Sequence, residues 1–210
     1  MVADRYPGVI LAGGRSTRMG GRDKALCAVA GRRMIDLVVQ HLAPQCGPLA
    51  INANGDAARF ADLALPVLPD SLPDHPGPLA GVLAGLDWAA SGAAGDEAIV
   101  TVAADTPFFP PDLVARLRAA AGARGLALAA SRDTAGQMRV HPTFGLWPLH
   151  LRGALRAALL AGERRVGEWA LGQGAAVAEF ESLPFDPFFN INTPEDIAHA
   201  NRLAATRDAV

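Results

Sequence analysis

The feature that most constrains the fold of this sequence is a glycine-rich loop that follows a short apolar run near the amino terminus. Residues 9–12 have the length and side-chain branching of a buried strand. Glycines then crowd residues 13–24, and the segment ends at Lys24, the only lysine in the chain. Phosphate sites of α/β proteins are built in this order, because a glycine-rich turn after a strand presents bare backbone N–H groups to the anion. The segment predicts an α/β fold that binds a nucleotide.

Lys24 stands out because the other 18 of the 19 lysine and arginine residues are arginines. A lysine ammonium is compact and reaches one phosphate in a tight site, whereas an arginine guanidinium is a broad planar fork. The loop matches neither the GxxxxGK[ST] pattern of P-loops nor the GxGxxG pattern of dinucleotide sites. The alternative is a loop that only turns the chain and leaves its arginines in solvent.

Composition excludes several classes of protein. A net charge of −2 provides no basic field for nucleic acid. Cys27 and Cys46 form no CxxC pair and no disulfide framework, which is typical of a reducing cytosol. The sequence has no signal-peptide layout and no apolar run near the roughly 20 residues of a membrane helix. We therefore expect a cytoplasmic protein with a single domain over residues 1–210 and with neither nucleic acid nor membrane as partner.

Strand and helix patterns alternate along the chain, which predicts a mostly parallel sheet with helices on both faces. The predicted strands are residues 9–12, 49–52, 65–68, 98–104, 126–131 and 141–147. The predicted helices are residues 34–42, 79–90, 110–121 and 149–161, and a last one that begins at Thr193-Pro194-Glu195 with Thr193 as N-cap and Asp196 three residues on.

Polar side chains follow the predicted strands at their carboxyl ends, where ligands bind in such sheets. Asn52 and Asn54 follow the second strand, Asp70 the third and Asp105 the fourth. A carboxylate after a buried strand is well placed to hold Mg²⁺, which takes one or two protein carboxylates plus substrate phosphates. The alternatives are a helix N-cap or turn role for Asp105 and a plain turn at Asp70.

Four of the five asparagines form two Asn-x-Asn pairs, at residues 52/54 and 190/192. Alternating side chains of an extended segment point to the same side, and each amide offers donors and an acceptor to a heteroaromatic ring or a phosphate. The alternative for Asn192, which precedes the last helix, is a capping role.

These motifs together resemble one family over nearly the whole chain. They are LAGGRSTRMGGRDK at residues 11–24, NAN at 52–54, PD at 69–70, GPLAG at 77–81, ADTP at 104–107, HPTF at 141–144 and NINTPED at 190–196. The set resembles the molybdenum cofactor guanylyltransferases, within the nucleotidyltransferases of glycosyltransferase-A-like fold. Related cytidylyltransferases tend to show LAAG where this chain has LAGG, so the Gly13-Gly14 pair and the RDK triplet favour guanylyl transfer.

The resemblance implies a single-domain, Rossmann-like sheet and transfer of GMP from GTP to the terminal phosphate of molybdopterin, with release of pyrophosphate and Mg²⁺ as cofactor. It implies transient contacts with proteins that deliver molybdopterin or mature molybdoenzymes. The implied catalytic residues are Lys24, Asp105 and Arg18, although Arg18 could equally brace the loop. The implied nucleotide-binding residues are Leu11, Ala12, Gly13, Lys24, Asn52, Asp70 and Asp105, with Asp105 on the metal; Asn190 and Asn192 are implied on the pterin side.

Two other functions stay open at the level of sequence. One is a cytidylyltransferase or another nucleotidyltransferase acting on a related phosphorylated acceptor. The other is a regulatory module that binds a nucleotide without catalysis, against which the presence of both Lys24 and Asp105 argues. The five histidines form no metal-ligand or triad pattern, and His141, ahead of Pro142, is interpreted as structural rather than catalytic.

Overall fold

The structure, a computed structural model, describes residues 5–13, 23–72, 77–93, 97–133, 135–182 and 185–207. The strands of these segments are β1 (Gly8–Leu11), β2 (Ala28–Val29), β3 (Arg32–Arg33), β4 (Leu49–Asn52), β5 (Val67–Leu68), β6 (Ala98–Ala103), β7 (Ala127–Arg132), β8 (Met138–Pro148) and β9 (Ala176–Phe180). The helices are α1 (Met34–Leu42), α2 (Pro78–Trp88), α3 (Leu113–Ala121), α4 (Arg152–Leu160), α5 (Val166–Gly172) and α6 (Pro194–Arg207). Shorter 3-10 turns include Lys24–Leu26 and Ala57–Leu63.

Seven of the strands in the described segments form one sheet in the order β5-β4-β1-β6-β8-β7-β9, and β2 and β3 form a separate hairpin. β1 pairs in parallel with β4 and β6, β4 with β5, and β7 with β9. β8 runs antiparallel to both of its neighbours, β6 and β7. The predicted mostly parallel α/β sheet is confirmed.

Helices cover both faces of the sheet. On one face, an apolar cluster packs α1 and α3 against Ile10 and Val102. On the other face, a second cluster packs α2, α4 and α5 against Val9 and Ile99. Neighbouring residues of β1 thus bury opposite sides, as the strand pleat dictates, and β6 is buried along its whole length.

α2 packs closely on the sheet because two of its residues are glycines. A Cβ at Gly85 would lie 2.7 Å from Cδ1 of Ile99 and 2.8 Å from Cγ2 of Val9. A Cβ at Gly81 would collide with the side-chain oxygen of Asn52. The missing side chains let the first turns of α2 lie directly against the end of β4.

The sequence prediction missed the β2–β3 hairpin, α5 and β9, and it began α3 too early. The β2–β3 hairpin strands have two residues each, which is too short to show periodicity. α5 has only seven residues, and β9 is an edge strand with exposed Val177 and Glu179. α3 begins at Leu113, whose N–H donates to the carbonyl of Pro110 at 3.2 Å, so the two prolines precede the helix instead of forming its first turn. None of the helices in the described segments has the length and apolar character to cross a membrane.

Candidate active site

The carboxyl ends of β4, β1 and β6 lie side by side at one edge of the sheet. The N–H of Ala12 donates to the carbonyl of Asn52 at 2.9 Å, and the N–H of Ala104 donates to the carbonyl of Leu11 at 3.1 Å. The hydrogen-bond ladder therefore extends just past the strands and brings Asn52 and Asp105 to the same edge. Open α/β sheets bind their ligands at such an edge.

Three side chains from distant parts of the chain meet there. The Lys24 ammonium lies 3.7 Å from Oδ2 of Asp105 and donates a hydrogen bond to Oδ1 of Asn192. The Lys24 and Asp105 side chains are 22% and 24% exposed, so a ligand can reach both of them. Because they are mostly buried, solvent screens the attraction between their charges only in part. An ammonium can neutralise phosphate oxygens, and a carboxylate can hold a metal ion. The pair could therefore bind a nucleoside triphosphate both directly and through a metal ion.

The carboxylate of Asp105 does not cap a helix, because the N-cap of α3 is Asp112. The backbone carbonyl of Asp105 accepts from the N–H of Ile191 at 2.9 Å, and the Thr106 hydroxyl donates to Oδ1 of Asp105 at 3.4 Å. Burial raises the pKa of the Asp105 carboxyl above its ordinary value, and the Lys24 ammonium partly offsets that rise. A second cation beside this carboxylate would stabilise its ionised form further.

The direction of the Lys24 side chain is set by a 3-10 turn, Lys24–Leu26, whose N-cap is Asp23. Oδ1 of Asp23 accepts from the N–H of Ala25 at 3.0 Å, and Oδ2 accepts from Nε of Arg59 at 2.7 Å. Sequence reasoning gave Arg59 no role. No motif marks it, and only the fold brings it to Asp23, 36 residues earlier in the chain.

Asn52 and Asn54 bind the same carboxylate. Nδ2 of Asn52 donates to Oδ1 of Asp70 at 3.0 Å and to the carbonyl of Leu68 at 3.1 Å. Nδ2 of Asn54 donates to Oδ2 of Asp70 at 2.7 Å, and the backbone N–H of Asp70 donates back to Oδ1 of Asn54 at 2.9 Å. The first asparagine pair and Asp70 thus form one polar unit beyond β4 and β5, so Asp70 is more than a plain turn residue.

The second asparagine pair lies on the extended segment that leads into α6. Ile191, between the two, is fully buried in an apolar cluster with Met34, Phe108 and residues of α6. Asn190 is exposed, whereas Asn192 is half-buried with its side-chain oxygen on Lys24. Buried Ile191 thus separates two less buried asparagines, and no local pattern in the sequence indicated that Asn192 reaches Lys24.

Thr193, and not Asn192, caps the last helix through its side chain. The hydroxyl of Thr193 accepts from the N–H of Asp196 at 3.2 Å, and Oδ2 of Asp196 accepts from the N–H groups of Asn192 and Thr193 at 2.8 and 2.9 Å. This reciprocal capping box confirms the predicted start of α6. It also fixes the backbone from which the Asn192 side chain extends to Lys24.

His141 lies on β8 in a buried polar network and is 8% exposed. Its Nε2 is 2.7 Å from the hydroxyl of Ser131, which donates to Oδ1 of Asp186 at 3.2 Å, so Nε2 carries the proton and donates to Ser131. The ring stacks on Phe188 at a centroid distance of 4.4 Å. Burial lowers the pKa of His141 to about 4, with Asp186 acting in the opposite direction. The imidazole is neutral at pH 7 and stacks on a residue that lies two positions before Asn190.

A metal ion in this site would depend on few protein ligands. No three histidine, cysteine, aspartate or glutamate side chains converge anywhere in the described part of the chain. Asp105 alone among the predicted residues presents a carboxylate beside the Lys24 ammonium. This donor set fits Mg²⁺, which keeps several waters and completes its shell with substrate phosphates, better than it fits a metal that needs an all-protein cage.

The remaining predicted residues belong to the glycine-rich loop. Leu11 ends β1 and is buried, Ala12 is half-buried, and Gly13 is exposed. A Cβ at Gly13 would lie 3.6 Å from the side-chain oxygen of Asn52, so the loop leaves the sheet beside the first asparagine pair. Residues 14–22, including Arg18, lie outside the described residues.

Comparison with known proteins gives the chain a family. The family model described as "MobA-like NTP transferase domain" matches residues 8–176. A protein of Bradyrhizobium sp. (strain ORS 278) named molybdenum cofactor guanylyltransferase is 51% identical over 205 residues, which cover 96% of this chain and 94% of the relative. A protein of the same name from Cereibacter sphaeroides is 51% identical over 200 residues, covering 95% and 97%.

Solved structures agree on the fold. The crystal structure of molybdopterin-guanine dinucleotide biosynthesis protein A from Archaeoglobus fulgidus superposes with a TM-score of 0.71 and covers 96% of this chain and 100% of that one. Its sequence identity is 22%, so this likeness concerns the fold alone.

Proposed function

This chain belongs to the molybdenum cofactor guanylyltransferase family, among the MobA-like NTP transferases, and we propose that it transfers GMP from GTP to the terminal phosphate of molybdopterin, with or without bound molybdenum. An oxygen of that phosphate attacks the α-phosphorus of GTP, and the bond from the α-phosphorus to its bridging oxygen breaks. Pyrophosphate leaves, and the product is the guanine dinucleotide form of the cofactor.

The observation that carries the proposal is the Lys24 ammonium 3.7 Å from the Asp105 carboxylate at the ligand edge of the sheet. Transfer at phosphorus requires in-line positioning and charge neutralisation rather than a protein nucleophile. Lys24 would bind oxygens of the triphosphate, and the N–H groups of the glycine-rich loop would hold the departing pyrophosphate. The attacking phosphate is already ionised at neutral pH, so the reaction needs no general base.

Mg²⁺ is proposed as the cofactor, with Asp105 as its protein ligand. When bound, it would neutralise negative charge on the phosphate oxygens around the reacting phosphorus. Asp105 can fill this role because its carboxylate is partly buried and lies beside the only lysine. The bound Mg²⁺ and the Lys24 ammonium would then together offset the negative charge of the triphosphate.

The nucleoside part of GTP is proposed to lie over the end of β4. Leu11, Ala12 and Gly13 line the exit of β1, and Asn52 and Asp70 form a hydrogen-bonded unit beside it. This arrangement supports a purine site, because a rigid polar unit next to bare backbone can match the donors and acceptors of a base edge. Arg18 is proposed to assist at the phosphates.

The acceptor is proposed to approach from the segment that leads into α6. Asn190 is exposed there, so its amide would be accessible to the pterin. Asn192 on the same segment contacts Lys24, so the acceptor side and the phosphate side meet at one residue.

The alternative is transfer of another nucleotide, CMP above all, to a related phosphorylated acceptor. The LAGG sequence of the loop and relatives about half identical in sequence support GMP.

A nucleotide panel tests the proposal. The protein is incubated with molybdopterin, Mg²⁺ and one α-³²P-labelled nucleoside triphosphate at a time, and the label that appears in the pterin product is measured. We expect label from GTP and little from CTP, ATP or UTP. Preferential transfer from CTP would establish the alternative, and tight nucleotide binding without any transfer would identify a regulatory module.

A further inference from the structure

Arg59 connects two backbone segments around the candidate site, the Asp23 turn and residues 54–56. It lies in the 3-10 turn Ala57–Leu63, with its side chain about a quarter exposed. Its Nε donates to Oδ2 of Asp23 at 2.7 Å, its Nη2 to the carbonyl of Asn54 at 2.9 Å, and its Nη1 to the carbonyl of Asp56 at 2.5 Å. The guanidinium carbon also lies 4.7 Å from the ring centre of Phe60.

Two of these partners hold groups that the proposed function uses. Asp23 directly precedes Lys24, and its second oxygen caps the turn from which the Lys24 side chain leaves. Asn54 binds both the carboxylate and the backbone N–H of Asp70 through its side chain. Arg59 therefore joins the Lys24 turn to the Asn54–Asp70 unit through hydrogen bonds to Asp23 and to the backbone carbonyl of Asn54.

We propose that Arg59 is a positioning residue that fixes the Lys24 ammonium at a set distance from the Asn54–Asp70 unit, so that the phosphate end and the base end of one nucleotide are bound together. The inference rests on the proposed function for the identity of the ligand. A planar guanidinium is suited to this task because its donors leave in fixed directions, so it can bind the Asp23 carboxylate and the carbonyls of residues 54 and 56 at the same time. A lysine at position 59 could reach one of them at a time.

An ion pair on the same 3-10 turn provides a matched control. Arg33 binds Asp62 with Nη2 2.5 Å from Oδ2, and the Asp62 side chain is 59% exposed. This pair ties the far end of the turn to the start of α1 and contacts neither Asp23 nor Asn54 in the described residues. Asp62→Asn therefore removes a tether of the same turn without touching the connection to Lys24.

The first measurement follows Lys24 itself. Because the chain has a single lysine, selective ¹³C-lysine labelling gives one side-chain methylene signal beside the ammonium, and it belongs to Lys24. We expect Arg59→Ala to shift or broaden this signal in the nucleotide-free protein, Arg59→Lys to restore it only in part, and Asp62→Asn to leave it unchanged. An unchanged signal in folded Arg59→Ala would overturn the proposal, and this result does not depend on what the enzyme transfers.

The second measurement is the dissociation constant of GTP, determined by titration without acceptor. Loss of a hydrogen bond to a charged group predicts a rise of about tenfold in Arg59→Ala, with the KM for molybdopterin unchanged within about twofold. Equal GTP affinity in Arg59→Ala and wild type, or an equal loss in Asp62→Asn, would contradict a positioning role. If Arg59→Ala does not fold, Asp23→Asn tests the same link from its other side with the same expected outcomes. Failure of label transfer in the nucleotide panel would refute the proposed function while leaving the Lys24 signal as the test of this inference.

Discussion

The Lys24 ammonium lies in surroundings that suit a compact cation. The space for a larger cationic group is small, because the ammonium lies between the carboxylate of Asp105 and the amide oxygen of Asn192. In the proposed function it also donates to phosphate oxygens, and an ammonium has three donors. The use of lysine here alone, in a chain with 18 arginines, follows from this geometry.

Lys24→Arg keeps the charge and tests whether shape matters. The broader fork cannot occupy the same space between Asp105 and Asn192, so we expect weaker GTP binding and slower transfer, each by about tenfold or more. The dissociation constant of GTP and the single-turnover rate measure the two effects separately. Wild-type kinetics in the arginine variant would mean that only charge is required at this position.

His141 makes the stability of the protein depend on pH. Its pKa is about 4 in the folded protein, against about 6.5 in an unfolded chain. As the pH falls from about 6.5 to about 4, the unfolded state takes up a proton that the folded state does not, so the free energy of unfolding decreases. Asp186 and Arg139 are the charged groups that act on this pKa, in opposite directions.

His141→Asn isolates this contribution. The variant should be less stable than wild type at pH 7, because Ser131 loses its hydrogen bond with the imidazole and keeps only the one to Asp186. The difference between the two should shrink as the pH is lowered toward 4.5, because only wild type has an unfolded-state histidine at this position to protonate. Urea unfolding at several pH values measures the difference. A gap that stays constant across this range would show that the imidazole titrates normally.

At the scale of elements, the segment before α6 is held in place by contacts along its whole length. Buried Ile191 anchors it, its N–H binds the carbonyl of Asp105, and the capping box fixes its end. The sequence predicts the cap and the alternation, because both are local patterns. The contact of Asn192 with Lys24 spans 168 positions and is created by the fold, so no local pattern could predict it.

This architecture separates the two asparagines, which the sequence assigned to one role. Asn190→Ala should leave the GTP dissociation constant unchanged and raise the KM for molybdopterin, since its amide is exposed and outside the Lys24 contact. Asn192→Ala should raise the GTP dissociation constant roughly threefold to tenfold, because Lys24 loses the acceptor that orients it. Separate titrations of GTP and molybdopterin against each variant measure these two effects. A loss of GTP affinity in Asn190→Ala would place that residue on the nucleotide instead.

The elements that sequence reasoning missed have a common cause. The strands of the β2–β3 hairpin and helix α5 are too short for hydrophobic periodicity, and β9 buries only one face at the edge of the sheet. The hairpin turns through Ala30 and Gly31 at positive φ, and the N–H of Ala30 donates to the side chain of Asn201 on α6. Such elements are specified by contacts with other parts of the molecule and not by their own pattern.

At the scale of the whole molecule, the parallel strands make the site predictable. Once β1, β4 and β6 are recognised as parallel, their carboxyl ends must share an edge, and Asn52 and Asp105 follow as residues of that edge. The antiparallel β8 and the position of Arg59 do not follow from this rule, because they depend on how later segments return to the sheet.

The carboxylate of Asp105, paired with Lys24 at this edge, is proposed to be required for transfer. The most direct test is the single-turnover rate of GMP transfer to molybdopterin by Asp105→Asn, at saturating GTP, molybdopterin and Mg²⁺. The amide keeps the shape of the side chain and removes its charge, so the rate should fall by about a hundredfold or more while the unfolding transition stays cooperative. A folded Asp105→Asn protein that transfers GMP within about twofold of the wild-type rate would contradict the claim and place the metal and the chemistry elsewhere.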